Sequence, residues 1–341
     1  MAKSNNITNN KTFFLFTCVK NGRQYITKLF DSLLAQTEIN FVHYIYEDGS
    51  DDPVEDIVSD YKKNAESIGL EVYYEKQEKN IGLNMSTKHC IEQCFLPYFI
   101  WIDCDNWVDP NFFKEMGKSV KNNPDAIVHR SNKHIFDEQL QRIVKEMYPL
   151  TEIRKRRYKD NEKLLLLDIY WHSFFAVKTK DYLRVNPSCF LLDEKYFYND
   201  QQVLFFCSLS KLDFVFVKKA NSFYYRRKGS ESLSGQSISF TKQLLDDFVI
   251  LKQNANCSNH RVDYLPYFYS YYEIKANWFD HYKTRDYSLC RKLVWEKRKI
   301  LNKLGVPNSF AYLNVNSVLF CCSFLFPKLM RFIMLERVKN E

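Results

Sequence analysis

Apolar and polar positions alternate between two periodicities over roughly the first 130 residues. Short continuous apolar runs, of the length of buried strands, occur at residues 13–16, 41–46, 70–74 and 98–102. Between them, apolar residues recur at helical spacing within residues 25–34, 54–61 and 85–95. Strands that alternate with helices favour a mostly parallel sheet with helices on both faces. The pattern therefore predicts an α/β fold whose ligands bind outside the carboxyl ends of the strands.

Beyond residue 130 the pattern is looser. Residues 137–161 form a charged segment that we expect to be mobile, and strand-like runs return at residues 164–167 and 214–217. Residues 229–239, rich in Gly and Ser, are typical of a linker or an active-site lid. Helical spacing then dominates. We therefore predict one α/β domain over residues 1–235 and a helical C-terminal region over residues 236–341.

Composition is consistent with a folded protein in a reducing compartment. Of 341 residues, 45% are hydrophobic and 26% are charged, which is enough to bury a core. Ten cysteines follow neither a disulfide framework nor the spacing of a zinc site. The polar N-terminus lacks a secretory signal, and the apolar stretch at residues 318–327 is shorter than the ~20 residues of a membrane span. A cytoplasmic protein without a membrane span is expected.

The net charge of +8 allows several anionic partners. The densest basic run is Arg154–Arg157, and no nucleic-acid-binding signature accompanies it, so we expect no nucleic-acid partner. Residues 310–338 are apolar, with basic residues near their end. This stretch indicates either peripheral contact with an anionic membrane or helices packed on the α/β domain.

Two carboxylates follow the apolar run at residues 98–102, as Asp103-Cys104-Asp105. Carboxylates this close repel each other, and a bound cation relieves that repulsion. Oxygen ligands favour Mg²⁺ or Mn²⁺, which commonly bridge a diphosphate. Taken alone, such a pair also occurs as turn and helix N-cap residues.

Two further loops follow predicted strands. The second predicted strand is followed by Glu47-Asp48-Gly49-Ser50-Asp51-Asp52. In this loop Asp48 could accept hydrogen bonds from a nucleobase. The alternative interpretation is an acidic turn. Thr17-Cys18-Val19-Lys20-Asn21-Gly22 closes the first strand. This loop is not a Rossmann glycine motif, so a nicotinamide or flavin cofactor is not expected.

Together these segments resemble the family 2 glycosyltransferases, enzymes of the GT-A fold. Residues 12–120 carry most of the resemblance, which continues more thinly to about residue 235. The matching motifs are Asn21-Gly22, Leu33-Leu34-Ala35-Gln36-Thr37, Glu47-Asp48-Gly49-Ser50-Asp51-Asp52, Asn80-Ile81-Gly82 and Asp103-Cys104-Asp105-Asn106.

The resemblance implies a role for each carboxylate. Asp48 would bind the nucleobase, most commonly uracil in this family, and Asp103 the ribose or diphosphate. Asp105 would coordinate Mn²⁺ or Mg²⁺. Leu192-Asp193-Glu194 followed by Asn199-Asp200-Gln201 is similar to the segment that supplies the family's base, which makes Asp200 the general base. Without the family context, an Asp at position 200 would be interpreted as a helix N-cap.

Basic residues complete the predicted donor site. Lys20 replaces an aromatic residue that often stacks on the base in this family. Lys88 is a candidate phosphate contact, or else a solvated helix lysine. Arg226-Arg227-Lys228 resembles a lid that folds over the diphosphate, so Arg226 is predicted to bind the donor.

The predicted function is inverting, metal-dependent transfer of a sugar from a nucleoside diphosphate donor to a glycan or lipid-linked acceptor. Surface polysaccharide or lipooligosaccharide assembly is the expected process. Two alternatives remain at this point. One is a non-catalytic glycan- or nucleotide-binding scaffold; the other is a sugar nucleotidyltransferase, for which the expected Gly-rich basic signature is absent from the N-terminal sequence.

Overall fold

A computed structural model describes residues 11–147, 174–187 and 213–227, together with Val203 and Cys207. The chain divides into two units, Met1–Val262 and Asp263–Glu341, and every described residue lies in the first. The predicted helical region at 236–341 and the predicted base Asp200 lie outside the described residues. The domain boundary at residue 235 stays a prediction.

Nine strands and five helices are described. The strands are β1 (Phe13–Val19), β2 (Phe41–Asp48), β3 (Val72–Gln77), β4 (Tyr98–Trp101), β5 (Trp107–Val108), β6 (Val128–Asp137), β7 (Arg142–Met147), β8 (Phe175–Lys178) and β9 (Phe214–Arg226). The helices are α1 (Arg23–Leu34), α2 (Glu55–Ser67), α3 (Leu83–Glu92), α4 (Phe112–Asn122) and α5 (Thr179–Val185). None of the described helices is long and apolar enough to cross a membrane.

The described strands form one sheet in the order β3-β2-β1-β4-β8-β6-β9-β5, with β7 paired to β6. The first four strands in this order are mutually parallel. β8 runs antiparallel between β4 and β6, β9 is parallel to β6, and β5 is antiparallel to β9. The predicted α/β fold is therefore confirmed, and its parallel half contains the three strands that precede the acidic and Asn-Gly loops.

The apolar runs are continuous because the central strands are covered on both faces. Every residue of β1, β2 and β4 is buried, as is usual for parallel strands with helices on both sides. Aromatic rings fill much of the core. Phe41 stacks on Phe113 of α4 at 3.7 Å between ring centroids, and Phe30 of α1 stacks on Tyr61 of α2 at 3.9 Å. The first pair packs α4 against the sheet, and the second packs α1 against α2.

β7 lies within the segment that the sequence indicated to be charged and mobile. It pairs antiparallel with β6 through a register that shifts between Ile135 and Phe136. Its apolar residues, Ile143, Val144 and Met147, do not alternate with its polar ones, so the segment lacks the periodicity of a half-buried strand and its formation depends on a partner strand. Residues 142–147 thus form a strand that the sequence did not predict.

His43 of β2 is buried in the core of the parallel half of the sheet. The His43 Nε2 forms a hydrogen bond with the Thr17 hydroxyl (3.0 Å), and its Nδ1 forms one with the Tyr61 hydroxyl (3.1 Å). The tautomer determines which nitrogen is the donor. Burial lowers the pKa of His43 from 6.5 to about 3 because the charged ring would lose its hydration. His43 is therefore a neutral structural residue.

Candidate functional site

Three loops meet at the carboxyl ends of β1, β2 and β4. The loops after β1 and β4 are in direct contact, since a Cβ atom placed on Gly22 would lie 2.6 Å from the Cys104 Sγ. Only a residue without a side chain allows this approach. The Asp-x-Asp segment therefore packs directly on the start of α1.

The loops after β1 and β2 are joined by hydrogen bonds. The Asn21 amide side chain donates to the Asp51 carboxylate (3.2 Å) and accepts the Asp51 backbone N–H (2.8 Å). The Asn21 backbone N–H donates to the Ser50 hydroxyl (3.1 Å). Asn21 adopts a left-handed φ of 51°, which Asn tolerates better than most residues. The Asn-Gly pair noted in the sequence thus ties two loops of the site together.

The acidic pair that ends β2 holds the neighbouring backbone. Asp48 is buried, and its carboxylate accepts the N–H of Ile81 (2.7 Å) and of Gly82 (3.0 Å). Glu47 is also buried and accepts the N–H of Val54 (3.1 Å) at the start of α2. Each Asp48 oxygen keeps a second lone pair. Asp48 therefore already positions the loop before α3, and its predicted contact with a nucleobase stays a prediction.

Asp103 lies in a network of side-chain donors. Its carboxylate accepts hydrogen bonds from the Trp101 indole N–H (3.0 Å) and the Asn106 amide (3.2 Å). Asn106 is fully buried, and its side-chain oxygen accepts the backbone N–H of Tyr225 (3.0 Å). The Asp-x-Asp segment is consequently held from both ends and linked to β9.

Asp105 faces a cation from the end of β9. The Arg227 Nη2 lies 3.7 Å from the Asp105 Oδ2, and the side chain of Asp105 is 18% exposed. Burial raises the pKa of Asp105, and the Arg227 charge partly offsets that rise. Burial also raises the pKa of the Cys104 thiol, so this neighbour stays neutral. Among the described residues, the guanidinium of Arg227 thus balances the largely buried carboxylate of Asp105.

The predicted basic residues are placed differently from one another. Lys20 is exposed immediately after β1. Lys88 is half-buried on α3, where its ammonium lies 3.9 Å from the Glu92 carboxylate one helical turn away. Arg226 donates two hydrogen bonds, of 2.9 and 2.6 Å, to one oxygen of Asp137. The donor-binding roles of all three stay predictions.

Three residues near Asp105 have roles that the sequence alone did not indicate. Asn106 links Asp103 to β9, Arg227 pairs with Asp105, and Tyr25 of α1 lies beneath Arg227, with 4.6 Å between the guanidinium carbon and the ring centroid. The Arg226-Arg227-Lys228 cluster was the available signal for Arg227. The pairing of β5 with β9, which brings the cluster to the site, is a contact between distant parts of the chain.

The carboxylates present fit a divalent ion that is shared with a diphosphate. Mg²⁺ is commonly held by one or two carboxylates, with phosphate oxygens and water completing its shell. Asp103 and Asp105 supply that number of groups. Within the described residues there is no group of three or more His, Cys, Asp or Glu side chains able to hold a metal. Protein ligands alone therefore do not form a closed metal site in this part of the chain.

The fold and the site define an α/β domain whose parallel strands end at an edge rich in acidic residues. Residues 15–184 match the family model described as "Glycosyl transferase family 2". The chain thus contains a family 2 glycosyltransferase domain, as its motifs predicted.

Curated relatives match over a shorter stretch. The "Processive diacylglycerol beta-glycosyltransferase" of Mycoplasma pneumoniae is 26% identical over 113 residues, which is 33% of each chain. The "Putative glycosyltransferase EpsH" of Bacillus subtilis is 28% identical over 114 residues, covering 33% of this chain and 32% of that one. The matches thus span about a third of the length of these relatives.

Solved structures match over more of the chain. S. aureus TarS 1–349, crystallised with UDP-GlcNAc, superposes with a TM-score of 0.58 at 16% identity and covers 87% of this chain and 82% of its own. The same protein with UDP gives 0.58 at 14% identity, covering 85% and 82%. At such identities the likeness establishes the fold, and the predicted GT-A-like fold is confirmed.

Proposed function

We propose that this protein is an inverting glycosyltransferase. It moves a sugar from a nucleoside diphosphate donor, a UDP-sugar, to a glycan or lipid-linked acceptor in surface polysaccharide or lipooligosaccharide biosynthesis. One observation supports this most strongly: within a family 2 domain, the loops that contain Asp48, Asp103 and Asp105 meet at the carboxyl ends of parallel strands. That edge is where α/β sheets bind their ligands.

The donor would lie across these loops. Asp48, held by the Ile81 and Gly82 backbone, has lone pairs left for the N–H of a uracil. Asp103, oriented by Trp101 and Asn106, would accept a ribose hydroxyl or face the diphosphate. The UDP and UDP-GlcNAc bound to TarS, a protein of the same fold, support the choice of uridine.

Asp105, with Asp103 nearby in the chain, would hold Mn²⁺ or Mg²⁺. When bound, this ion supplies positive charge against the leaving diphosphate. Lys20 and Arg226 would add positive charge at the ends of β1 and β9, and Lys88 would do so from α3, each as proposed from the sequence. Burial of Asp105 strengthens its attraction for a cation, because less water screens the charge.

Asp200 is proposed as the general base. Its carboxylate would take the proton of the acceptor hydroxyl while that oxygen bonds to the anomeric carbon. The bond from that carbon to the diphosphate oxygen breaks on the opposite side, so the configuration inverts. A carboxylate suits this role when it remains ionised and within hydrogen-bond reach of the hydroxyl.

The proposed acceptor is lipid-linked, and the proposed location is the cytoplasm, with peripheral contact to the membrane. A relative's name includes diacylglycerol, which favours a lipid-linked acceptor. The apolar, basic stretch at residues 310–338 would then contact an anionic membrane peripherally. The protein would face the cytoplasm, where cysteines such as the five described ones remain free thiols.

Calorimetric titration with UDP, GDP and CDP, with Mn²⁺ and then with chelator, tests the donor site. We expect one nucleotide, UDP, to bind only with metal, and Asp105→Asn to abolish this metal-dependent binding. Transfer should fall by orders of magnitude in Asp200→Asn while UDP still binds. Asp213→Asn, an exposed Asp before β9, is the matched control. Binding without transfer to any acceptor would favour the scaffold alternative, and no nucleotide binding would refute the proposal.

A further inference from the structure

Arg227 and Asp105 form an ion pair at the centre of the site. The guanidinium lies 3.7 Å from the carboxylate and 4.6 Å from the centroid of the Tyr25 ring. The Arg227 side chain is 35% exposed and the Asp105 side chain is 18% exposed, so the pair is partly shielded from water. Charges that are partly withdrawn from water interact more strongly than charges on an open surface.

The position of Arg227 is set by β9. Trp107 pairs with Phe223 in the antiparallel β5–β9 ladder, and the Tyr225 N–H donates to Asn106. Successive residues of a strand point to opposite faces. Arg226 accordingly turns to Asp137 while Arg227 turns to Asp105. Of these two arginines, Arg227 is thus the one that the fold presents to the Asp-x-Asp segment.

Arg227 has hydrogen-bonding capacity in reserve. Its Nε is buried and has no acceptor among the described residues, and its distance to Asp105 exceeds the range of a hydrogen bond. A buried N–H without an acceptor is costly. An anion that enters beside Asp105 would therefore find an unused donor on a residue that is already charged.

A guanidinium and a divalent ion compete for the same carboxylate. With Arg227 in place, a metal ion that approaches Asp105 is attracted less strongly by the partly neutralised carboxylate and is repelled by the guanidinium. A diphosphate changes this balance because it supplies negative charge to both cations, and Arg is well shaped to bind phosphate oxygens.

We propose that Arg227 is the resident counterion of Asp105 and transfers its charge to the diphosphate when nucleotide and metal bind together. This rests on the proposed function, because it assumes a nucleoside diphosphate donor. Metal alone then binds weakly, and nucleotide and metal promote each other's binding. Arg227 thereby couples the binding of the two ligands by contacting the diphosphate directly.

The test measures Mn²⁺ binding to the full chain by the loss of the free-ion electron paramagnetic resonance signal. Without nucleotide, Arg227→Gln should bind Mn²⁺ roughly tenfold more tightly than the native protein, since a neighbouring opposite charge changes carboxylate equilibria by about that factor or more. With UDP present, the same variant should bind UDP·Mn²⁺ roughly tenfold more weakly, since a charged phosphate contact is lost. These opposite shifts distinguish a counterion from a simple ligand contact.

Two controls separate charge from other effects. Arg227→Lys keeps the positive charge and should keep Mn²⁺ affinity close to native. Lys219→Gln removes one charge from the same strand, eight residues away, which is roughly 25 Å along a strand, and should change neither affinity. Urea unfolding of each variant checks that the domain still folds.

The outcomes separate this inference from the proposed function. Equal Mn²⁺ binding by native protein and Arg227→Gln, including no detectable binding by either, overturns the counterion role. UDP affinity that is independent of Mn²⁺ also overturns it, because Arg227 would then replace the metal. If the native protein binds no nucleotide at all, the proposed function fails, whereas the Mn²⁺ measurement without nucleotide still decides the pairing of Arg227 with Asp105.

Discussion

Gly22 lies against Cys104, so that a Cβ atom added to Gly22 would be 2.6 Å from the Cys104 Sγ and 3.4 Å from its Cβ. Gly22 begins α1, and Cys104 separates the two carboxylates of the Asp-x-Asp segment. The φ of Gly22 is −94°, so other residues accept the backbone conformation. The requirement for glycine is therefore steric, and it comes first from the sulfur atom and next from the Val19 Cγ1, which would lie 3.2 Å from the added Cβ.

Gly22→Ala should displace the Asp-x-Asp segment. We expect nucleotide affinity to fall tenfold or more, because a shift of about 1 Å in a catalytic loop commonly has effects of that size or larger. Gly22→Ala combined with Cys104→Ala should recover much of the loss, since it removes the 2.6 Å contact with the sulfur and leaves contacts of 3.2 Å with the Val19 Cγ1 and 3.4 Å with the Cβ of residue 104. Calorimetry with UDP and Mn²⁺ on both single variants and the double variant measures this. Additive losses would contradict the steric explanation.

Gly49→Ala should destabilise the domain strongly. Gly49 has a φ of 59°, and a Cβ there would lie 2.3 Å from the Asn80 backbone nitrogen. Gly69 is a matched control, because its φ is 72° and nothing lies within 4 Å of its added Cβ. Gly69→Ala should cost about 1–2 kcal/mol from backbone strain alone. Gly49→Ala should cost about 1–3 kcal/mol more, from overpacking. Urea unfolding compares them, and equal losses would refute the clash.

The sequence predicted the parallel half of the fold because its strands are buried on both faces. The apolar run at residues 41–46 became β2 (Phe41–Asp48), and that at residues 98–102 became β4 (Tyr98–Trp101). Element ends were less accurate: β3 begins at Val72, two residues after the predicted start at Leu70. The loops that follow these strands meet at one edge, as parallel topology requires.

Contacts between distant segments could not be predicted in the same way. Which of Arg226 and Arg227 faces Asp105 depends on the register of β9 against β5 and β6. A shift of one residue would exchange the two side chains between faces. Hydrophobic periodicity does not determine that register here, because the end of β9 is half-buried throughout residues 223–226. The hydrogen bond between Asn106 and the Tyr225 backbone depends on the same register, so the sequence indicated Asn106 only as part of a motif.

His43 should make unfolding depend on pH. Its folded pKa of about 3 lies below the usual 6.5, so the unfolded chain binds a proton that the folded protein excludes. Stability is therefore complete above about pH 6.5 and falls as the pH drops towards 3. One such group contributes a slope of about 1.4 kcal/mol per pH unit in that range.

His43→Gln should reduce this slope. Glutamine is able to keep a hydrogen bond to Thr17 or Tyr61 but does not titrate. Urea unfolding between pH 4.5 and pH 6 should show a free energy that varies less steeply with pH, by up to about 1.4 kcal/mol per unit. Measurements at pH 8 separate the loss of packing, which does not depend on pH. Parallel curves for native and variant protein would show that His43 is protonated equally in both states.

Arg226 and Asp137 should stabilise the end of β9 as a pair. Both hydrogen bonds from Arg226 reach one Asp137 oxygen, and the side chains are 26% and 11% exposed. We expect Arg226→Gln and Asp137→Asn each to lower the free energy of unfolding by about 1 kcal/mol, because a partly exposed ion pair is partly screened by water. The double variant should lose less than the sum, because the second change removes a group that is already unpaired. Additive losses in urea would show that the pair contributes nothing. UDP affinity measured on the same variants tests the donor-binding role predicted for Arg226. A loss confined to Arg226→Gln would support direct contact between Arg226 and the nucleotide. Equal losses in both variants would show that the ion pair acts by positioning β9.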